Sequence, residues 1–326
     1  MRRLLPVLLF CLGMLAHSRP AQAQLMYGVD VNLHIKTNQG HEGQLLDAAR
    51  QLGVGWMRLG WGFGWKHVEP QPGQWRWQLS DRVLDALQSH HIHLLCELGA
   101  PPDWAYAGES PLDAEGFAVY AGAVAARYRG RIGAYKILNE PQNITAWTPH
   151  AYARLVALTA RAIHAADPQA IVMAGGFWFT PKASAWQKAA FEDLEFPLGR
   201  SIDVFNIHMT RTSLQAAARW LQQAHREMIA EDVQLPIWVD EFAYASQPEE
   251  QFMPGLQKGE ASQVEFLRQM VRTISRDPDV KAVFWTYLSD NFRARKPEER
   301  WLGLLHGDFT PKPAFTAYQV LISSQP

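Results

Sequence analysis

The chain has 326 residues, is 48% hydrophobic, and carries 31 basic residues, 32 acidic residues and two cysteines. With no basic stripe, its charge excludes nucleic acid and anionic membrane surfaces as partners. A chain of this size can bury a core that needs no disulfide framework.

Arg2 and Arg3 precede an apolar run from Leu4 to Ala16 that is short for a bilayer span, and Ala21-Gln22-Ala23 offers small residues before Gln24. Residues 1–23 are therefore expected to be a cleaved signal peptide. Residues 24–326 would form one folded domain, periplasmic or secreted, with no membrane span after cleavage. Losing Arg2, Arg3 and Arg19 takes the basic count from 31 to 28 against 32 acidic residues, a formal charge of −4, and leaves Cys96 as the sole cysteine. All 13 tryptophans lie after residue 24. They suit a core, and also a cleft whose indoles stack on sugar C–H faces.

In chain order, strands are predicted at Tyr27–Asn32, Trp56–Leu59, Ile92–Leu98, Ala134–Leu138, Ile171–Ala174, Val204–His208, Pro236–Val239 and Val280–Thr286. Helical periodicity fills the intervals at Ser80–His90, Glu115–Tyr128, Ala151–Ala166, Ser213–Ile229, Glu260–Arg276 and near Ala314–Ile322. Gly175-Gly176 lacks dinucleotide spacing and reads as a turn after the fifth strand. Eight strand–helix units without a linker predict a single (β/α)₈ TIM barrel.

A barrel carries its site at the carboxyl ends of the strands. The polar residues closing the runs are Asp30, Asn32 and His34, Arg58 and Trp61, Glu97, Asn139 and Glu140, His208, Asp240 and Glu241, and Trp285 with Tyr287. Glu140 and Glu241 can face each other across the mouth, as the acid and the nucleophile of glycoside hydrolysis do. The acid would need its pKa raised by its partner's charge and by burial.

Leu138-Asn139-Glu140-Pro141 resembles the acid/base motif of clan A glycoside hydrolases, and Val239-Asp240-Glu241-Phe242 resembles their seventh-strand nucleophile segment. Further likeness covers nearly the whole mature chain. Met57-Arg58-Leu59 is similar to the second-strand arginine that braces the nucleophile. Val68-Glu69-Pro70, Pro72-Gly73-Gln74-Trp75 and Trp77 resemble a segment of families 39, 5 and 10. Ala100-Pro101-Pro102-Asp103-Trp104-Ala105 resembles the loop after the third strand. Phe284-Trp285 fits the eighth-strand tryptophan, and Gly303-Leu304-Leu305 with Thr310-Pro311-Lys312-Pro313-Ala314-Phe315 is similar to the closing segment of family 39-like members.

The resemblance implies a retaining glycosidase with Glu140 as proton donor and Glu241 as nucleophile. Asn139, Arg58, His208, Trp285, Trp61, Trp104 and Tyr287 would be substrate-binding, with no cofactor and no metal. A carbohydrate would be the substrate, and the protein a monomer. One departure is His208-Met209-Thr210, where the clan often places a tyrosine two residues after the histidine; Tyr244 or Tyr287 could replace it.

Blander readings stand beside these. Arg58 and Asp30 could be a structural ion pair, His208 a hydrogen-bonded core imidazole, and Glu97 and Asp240 supporting charges. The competing function is a catalytically idle carbohydrate-binding barrel in envelope polysaccharide handling. A Schiff-base lyase would need a lysine at an inner strand end, and Lys136 and Lys281 do not reach one. Trp61, Trp65, Trp104, Trp147 and Trp178 suggest an extended cleft.

Overall fold

The computed structural model describes residues 24–31, 40–106, 112–144, 146–252, 257–292, 294 and 296–325. The expected signal peptide, and Asn32 and His34, lie outside these residues. Eight parallel strands form one sheet: β1 (Met26–Asp30), β2 (Trp56–Leu59), β3 (His93–Leu98), β4 (Ala134–Ile137), β5 (Ile171–Met173), β6 (Phe205–His208), β7 (Ile237–Phe242) and β8 (Val280–Trp285). Their order is β5-β4-β3-β2-β1-β8-β7-β6, and bridges from Met173 to Val204 and Phe177 to Ile207 join the two ends. The barrel is thereby nearly closed.

Helices jacket it: α1 (Glu42–Leu52), α2 (Trp65–Val68), α3 (Gln78–Ser89), α4 (Ala114–Arg127), α5 (Pro149–Ala166), α6 (Pro181–Phe191), α7 (Leu214–Ala230), α8 (Glu260–Ile274) and α9 (Pro313–Ser323). Of these, α1, α2 and α6 were not expected. The start of α6 carries a readable signal, since Thr180 accepts from the Ala183 N–H and Pro181 opens the first turn. No helix among the described residues is long and apolar enough to cross a membrane.

The two faces of the sheet have different work. Outward residues such as Val29, Met57, Cys96, Tyr135, Val239 and Val283 join the large core beneath the helices. Inward residues Leu95, Ala134, Met173, Val204, Trp238, Ala282 and Phe284 make a separate apolar layer inside the barrel. Gly28 completes that layer, because a Cβ there would meet the Phe284 ring at 2.3 Å. Side chains alternate along a strand, so the next inward positions are Asp30, Arg58, Glu97, Lys136, Asn206 and Asp240. A charged layer thus sits on the apolar one, just beneath the mouth.

Candidate active site

Glu140 stands where β4 gives way to a left-handed turn, with Leu138 at φ 60° and Glu140 at φ 48°. Such backbone is costly for a side chain with a Cβ, so its surroundings must hold it. The Glu140 N–H donates to Gly175 O at 2.8 Å, and the Tyr152 hydroxyl donates to Ile137 O while accepting from the Gly175 N–H. Gly175 has to be glycine, since its Cβ would lie 2.5 Å from Pro141 Cδ.

The Glu140 carboxylate is almost saturated with donors. Its Oε1 accepts from Trp178 Nε1 and His208 Nδ1, both at 2.6 Å, and its Oε2 accepts from Asn143 Nδ2 at 2.8 Å. Burial pushes its pKa up, but the hydrogen bonds from His208 and the Trp178 N–H and the nearby Lys136 ammonium together bring it down to about 2. This corrects the expectation of a raised pKa: in the free protein Glu140 is held as a carboxylate, because donors outnumber the apolar walls around it.

Glu241 belongs to β7, whose strand runs on past the predicted Val239. The pairing with β8 slips between Val239 and Phe242, so Asp240 and Glu241 both reach the site. Arg58 Nη1 donates to Glu241 Oε1, Nη2 reaches Glu97 Oε2 at 2.6 Å and Asn139 Oδ1 at 3.0 Å, and Asp30 lies 3.6 Å away. One guanidinium therefore ties strands 1, 2, 3 and 7 and the end of strand 4. His208 Nδ1 also faces Glu241 Oε2 at 3.5 Å. One oxygen of Glu140, one nitrogen of His208 and one oxygen of Glu241 all lie within 4.8 Å of one another.

Five carboxylates (Asp30, Glu97, Glu140, Asp240, Glu241) share this mouth with Arg58 and Lys136. Asp30 registers mainly its burial, which, opposed by Arg58 and reinforced by Glu241 and Glu97, pushes its pKa up to about 7. Glu97 stays low, since Arg58 and Lys136 outweigh its burial.

A cavity of about 440 Å³ opens above Glu241, with Arg58, Asn139, Trp61, His67 and Tyr287 among its walls. Tyr287 is thus placed beside Glu241, whereas the Tyr244 hydroxyl turns to Glu250. Trp104 is 38% exposed and donates to Pro70 O outside that cavity. Trp285 needs correcting as a sugar-binding residue. It is fully buried, donates to Leu302 O, and packs edge-on against Phe242 and Phe266. Strand parity is the reason, for Ala282 and Phe284 point inward and Trp285 must point out. Trp65 and Trp147 are core residues too, Trp65 stacked on Tyr120 and Trp147 packed edge-on against Tyr152. The sequence reading missed His67 and Asn143, and gave no sign that Trp178 bonds Glu140.

A second group of possible metal donors, His225, Asp277 and Asp279, lies on α7 and the turn before β8, where His225 Nε2 is already 2.8 Å from Asp277. It is remote from the mouth and takes no part in it.

Family models fit this arrangement. Residues 141–310, just over half of the chain, match the one described as glycosyl hydrolase catalytic core. The chain belongs to the glycosyl hydrolase catalytic core family. Residues 39–116 of this glycosyl hydrolase also match a model described as beta-galactosidase. No curated protein matches the sequence significantly.

Solved structures share the fold of this glycosyl hydrolase at low identity. A family 39 glycoside hydrolase from the gut symbiont Bacteroides cellulosilyticus is 19% identical with a TM-score of 0.72, over 93% of this chain and 64% of that one. A GH39 beta-xylosidase from Caulobacter crescentus is 20% identical with a TM-score of 0.68, over 94% and 72%. GH5_18 from Streptomyces cattleya, in complex with GlcNAc, is 16% identical with a TM-score of 0.73, over 93% and 80%. The chain thus spans just under two thirds of the length of the first.

Proposed function

We propose that this glycosyl hydrolase is a retaining glycosidase acting on a poly- or oligosaccharide outside the cytoplasm, with Glu140 as acid/base and Glu241 as nucleophile. The observation that carries the reading is the approach of the two carboxylates, with oxygens within 4.8 Å. Retaining enzymes hold their carboxyl groups about 5–5.5 Å apart, whereas inverting ones need about 6.5–9.5 Å for a water. The signal-like pattern in residues 1–23 supports export.

Each neighbour then has a task. Arg58 holds Glu241 aimed at the anomeric carbon. Asn139, whose Oδ1 is taken by Arg58, keeps its amide N–H groups for a sugar hydroxyl. Trp61 and Tyr287 offer walls for a ring. As a neutral sugar displaces water, two ionised carboxylates become more costly side by side, and Glu140 takes up the proton it later gives to the leaving oxygen. Once Glu241 is esterified that repulsion is gone, and Glu140 returns to the carboxylate needed to activate water.

Glu140→Gln should lower kcat by about 10²–10⁴ on substrates with poor leaving groups while leaving binding intact. Glu241→Gln should remove activity on every substrate. Two folded variants hydrolysing glycans at the wild-type rate would refute the reading, and an anomer of inverted configuration in an NMR time course would refute retention alone.

A further inference from the structure

Beneath Glu140 runs a chain of buried polar groups that the proposed chemistry does not use directly. Lys136 on β4, His208 on β6 and Asp240 on β7 are each essentially without solvent contact. Lys136 Nζ lies 2.6 Å from Asp240 Oδ2 and 2.8 Å from His208 Nε2. Asp240 Oδ1 also accepts from Asn206 Nδ2, which is shared with Ala174 O. Gly176, at φ 89°, lets the imidazole lie against its backbone, since a Cβ there would fall 2.1 Å from Nε2.

A buried ion pair is a weak device for stability alone. One inward step down the same strands, Ala134 and Trp238 fill the barrel without charge. What the pair adds is direction. An ammonium has three donors and no lone pair, so His208 Nε2 can only accept from it. The ring proton must then sit on Nδ1, which faces Glu140 Oε1 at 2.6 Å and Glu241 Oε2 at 3.5 Å.

We propose that Lys136 and Asp240 are positioning residues for the acid/base: the ammonium, anchored by Asp240, donates to His208 Nε2, fixes the ring proton on Nδ1 and aims it at Glu140. This rests on the assignment of Glu140 and Glu241 above. Glu241, and Asp240 whose Oδ2 lies 3.5 Å from Nε2, favour a second proton on the ring, but the ammonium is nearer, 2.8 Å from Nε2, and opposes it. Arg58, Glu97 and Asp30, from the strands opposite, act on Glu241 and reach His208 only through it. The aimed proton favours the ionised form of Glu140, so it serves the step in which Glu140 activates water.

The test uses the full-length protein with ¹⁵N-labelled histidine. In the wild type, the His208 resonances, assigned with a His208→Gln variant, should report an unprotonated Nε2 and a protonated Nδ1 from about pH 5 to about pH 8. A protonated Nε2 in that range would overturn the proposal, whether or not a substrate is known.

Two double variants with unchanged net charge supply the kinetic arm. Lys136→Met/Asp240→Asn removes the donor to Nε2, while Lys136→Gln/Asp240→Asn keeps one. In the first, kcat on an activated aryl glycoside should fall about 10-fold, a part of what a positioned acid/base contributes. KM should fall with it as the covalent intermediate accumulates, and the alkaline limb of kcat/KM should move to higher pH. The glutamine variant should regain most of kcat. If the methionine variant folds and keeps the wild-type tautomer and pH profile, the proposal fails; if it does not fold, the wild-type resonances decide. A protein that hydrolyses no glycan but shows the expected tautomer would sink the glycosidase reading and leave the positioning of His208 standing.

Discussion

Two layers of the barrel interior, one inward step apart on the same strands, have opposite chemistry. In the lower layer Leu95, Ala134, Val204 and Trp238 pack on one another. Two residues further along, those strands present Glu97, Lys136, Asn206 and Asp240, tied by hydrogen bonds and ion pairs. The lower layer tolerates any side chains of suitable volume, because dispersion and burial are not directional. The upper layer does not, because each charge there depends on particular partners, as Arg58 does on Glu241, Glu97 and Asn139. A single architecture thus holds a support that can drift in composition beneath a constellation that cannot.

Substitutions can probe that contrast from the largest effect downward. Lys136→Met alone leaves Asp240 buried and unpaired and should cost about 3–5 kcal/mol in denaturant unfolding, with the pH profile disturbed. Met173→Ala, in the apolar layer, should cost about 2–5 kcal/mol by cavity formation but leave the pH dependence of kcat/KM as it was. If both variants shift the profile alike, the two layers are not separable.

Asp30→Asn should act in the opposite direction. The folded pKa of Asp30, about 7, lies above the unfolded value near 3.8. Stability linked to this group is full below about pH 4 and is lost as the pH rises through about 7. The asparagine variant should therefore be more stable than the wild type at pH 8, by on the order of 2–4 kcal/mol, and equal to it near pH 4. Melting temperatures across that range give the answer, and equal curves at pH 8 would show that Arg58 already compensates Asp30. Trp285→Phe is the mildest change. It should cost about 1–2 kcal/mol for the hydrogen bond to Leu302 and leave KM within about 2-fold. A large rise in KM would put this indole in the sugar site after all.

Much of this was legible in the sequence where local pattern and tertiary role agree. The eight apolar runs became eight strands because a parallel barrel buries both faces, so each strand reads as a short apolar block. The ends of β4 and β7 were legible because Asn139, Glu140 and Glu241 interrupt such blocks. Parity was harder. Trp285 lies one position from an inward residue, and its chemistry suits a sugar platform so well that the alternation Ala282, Phe284, Thr286 was overlooked. Lys136 was set aside for not reaching the strand end, yet it works from one layer below it. Two of the missed helices have physical reasons: α1 opens on His41 without a side-chain cap, and α2 is a single turn.

The β5–β6 junction has a consequence of its own. Among the described residues β5 and β6 meet through isolated bridges, whereas the other seven neighbouring strand pairs form ladders, with register slips in β6–β7 and β7–β8. Gly175, Gly176 and Trp178 lie on one bank of that junction and His208 on the other. If the cylinder breathes, this is the seam where it opens first, and amide exchange should be fastest there. Glu140 would lose its grip on both banks together, while Glu241 would keep its tie to Arg58 on β2, away from that junction. Opening at this junction would thus loosen Glu140 before Glu241, while the rest of the barrel stays folded.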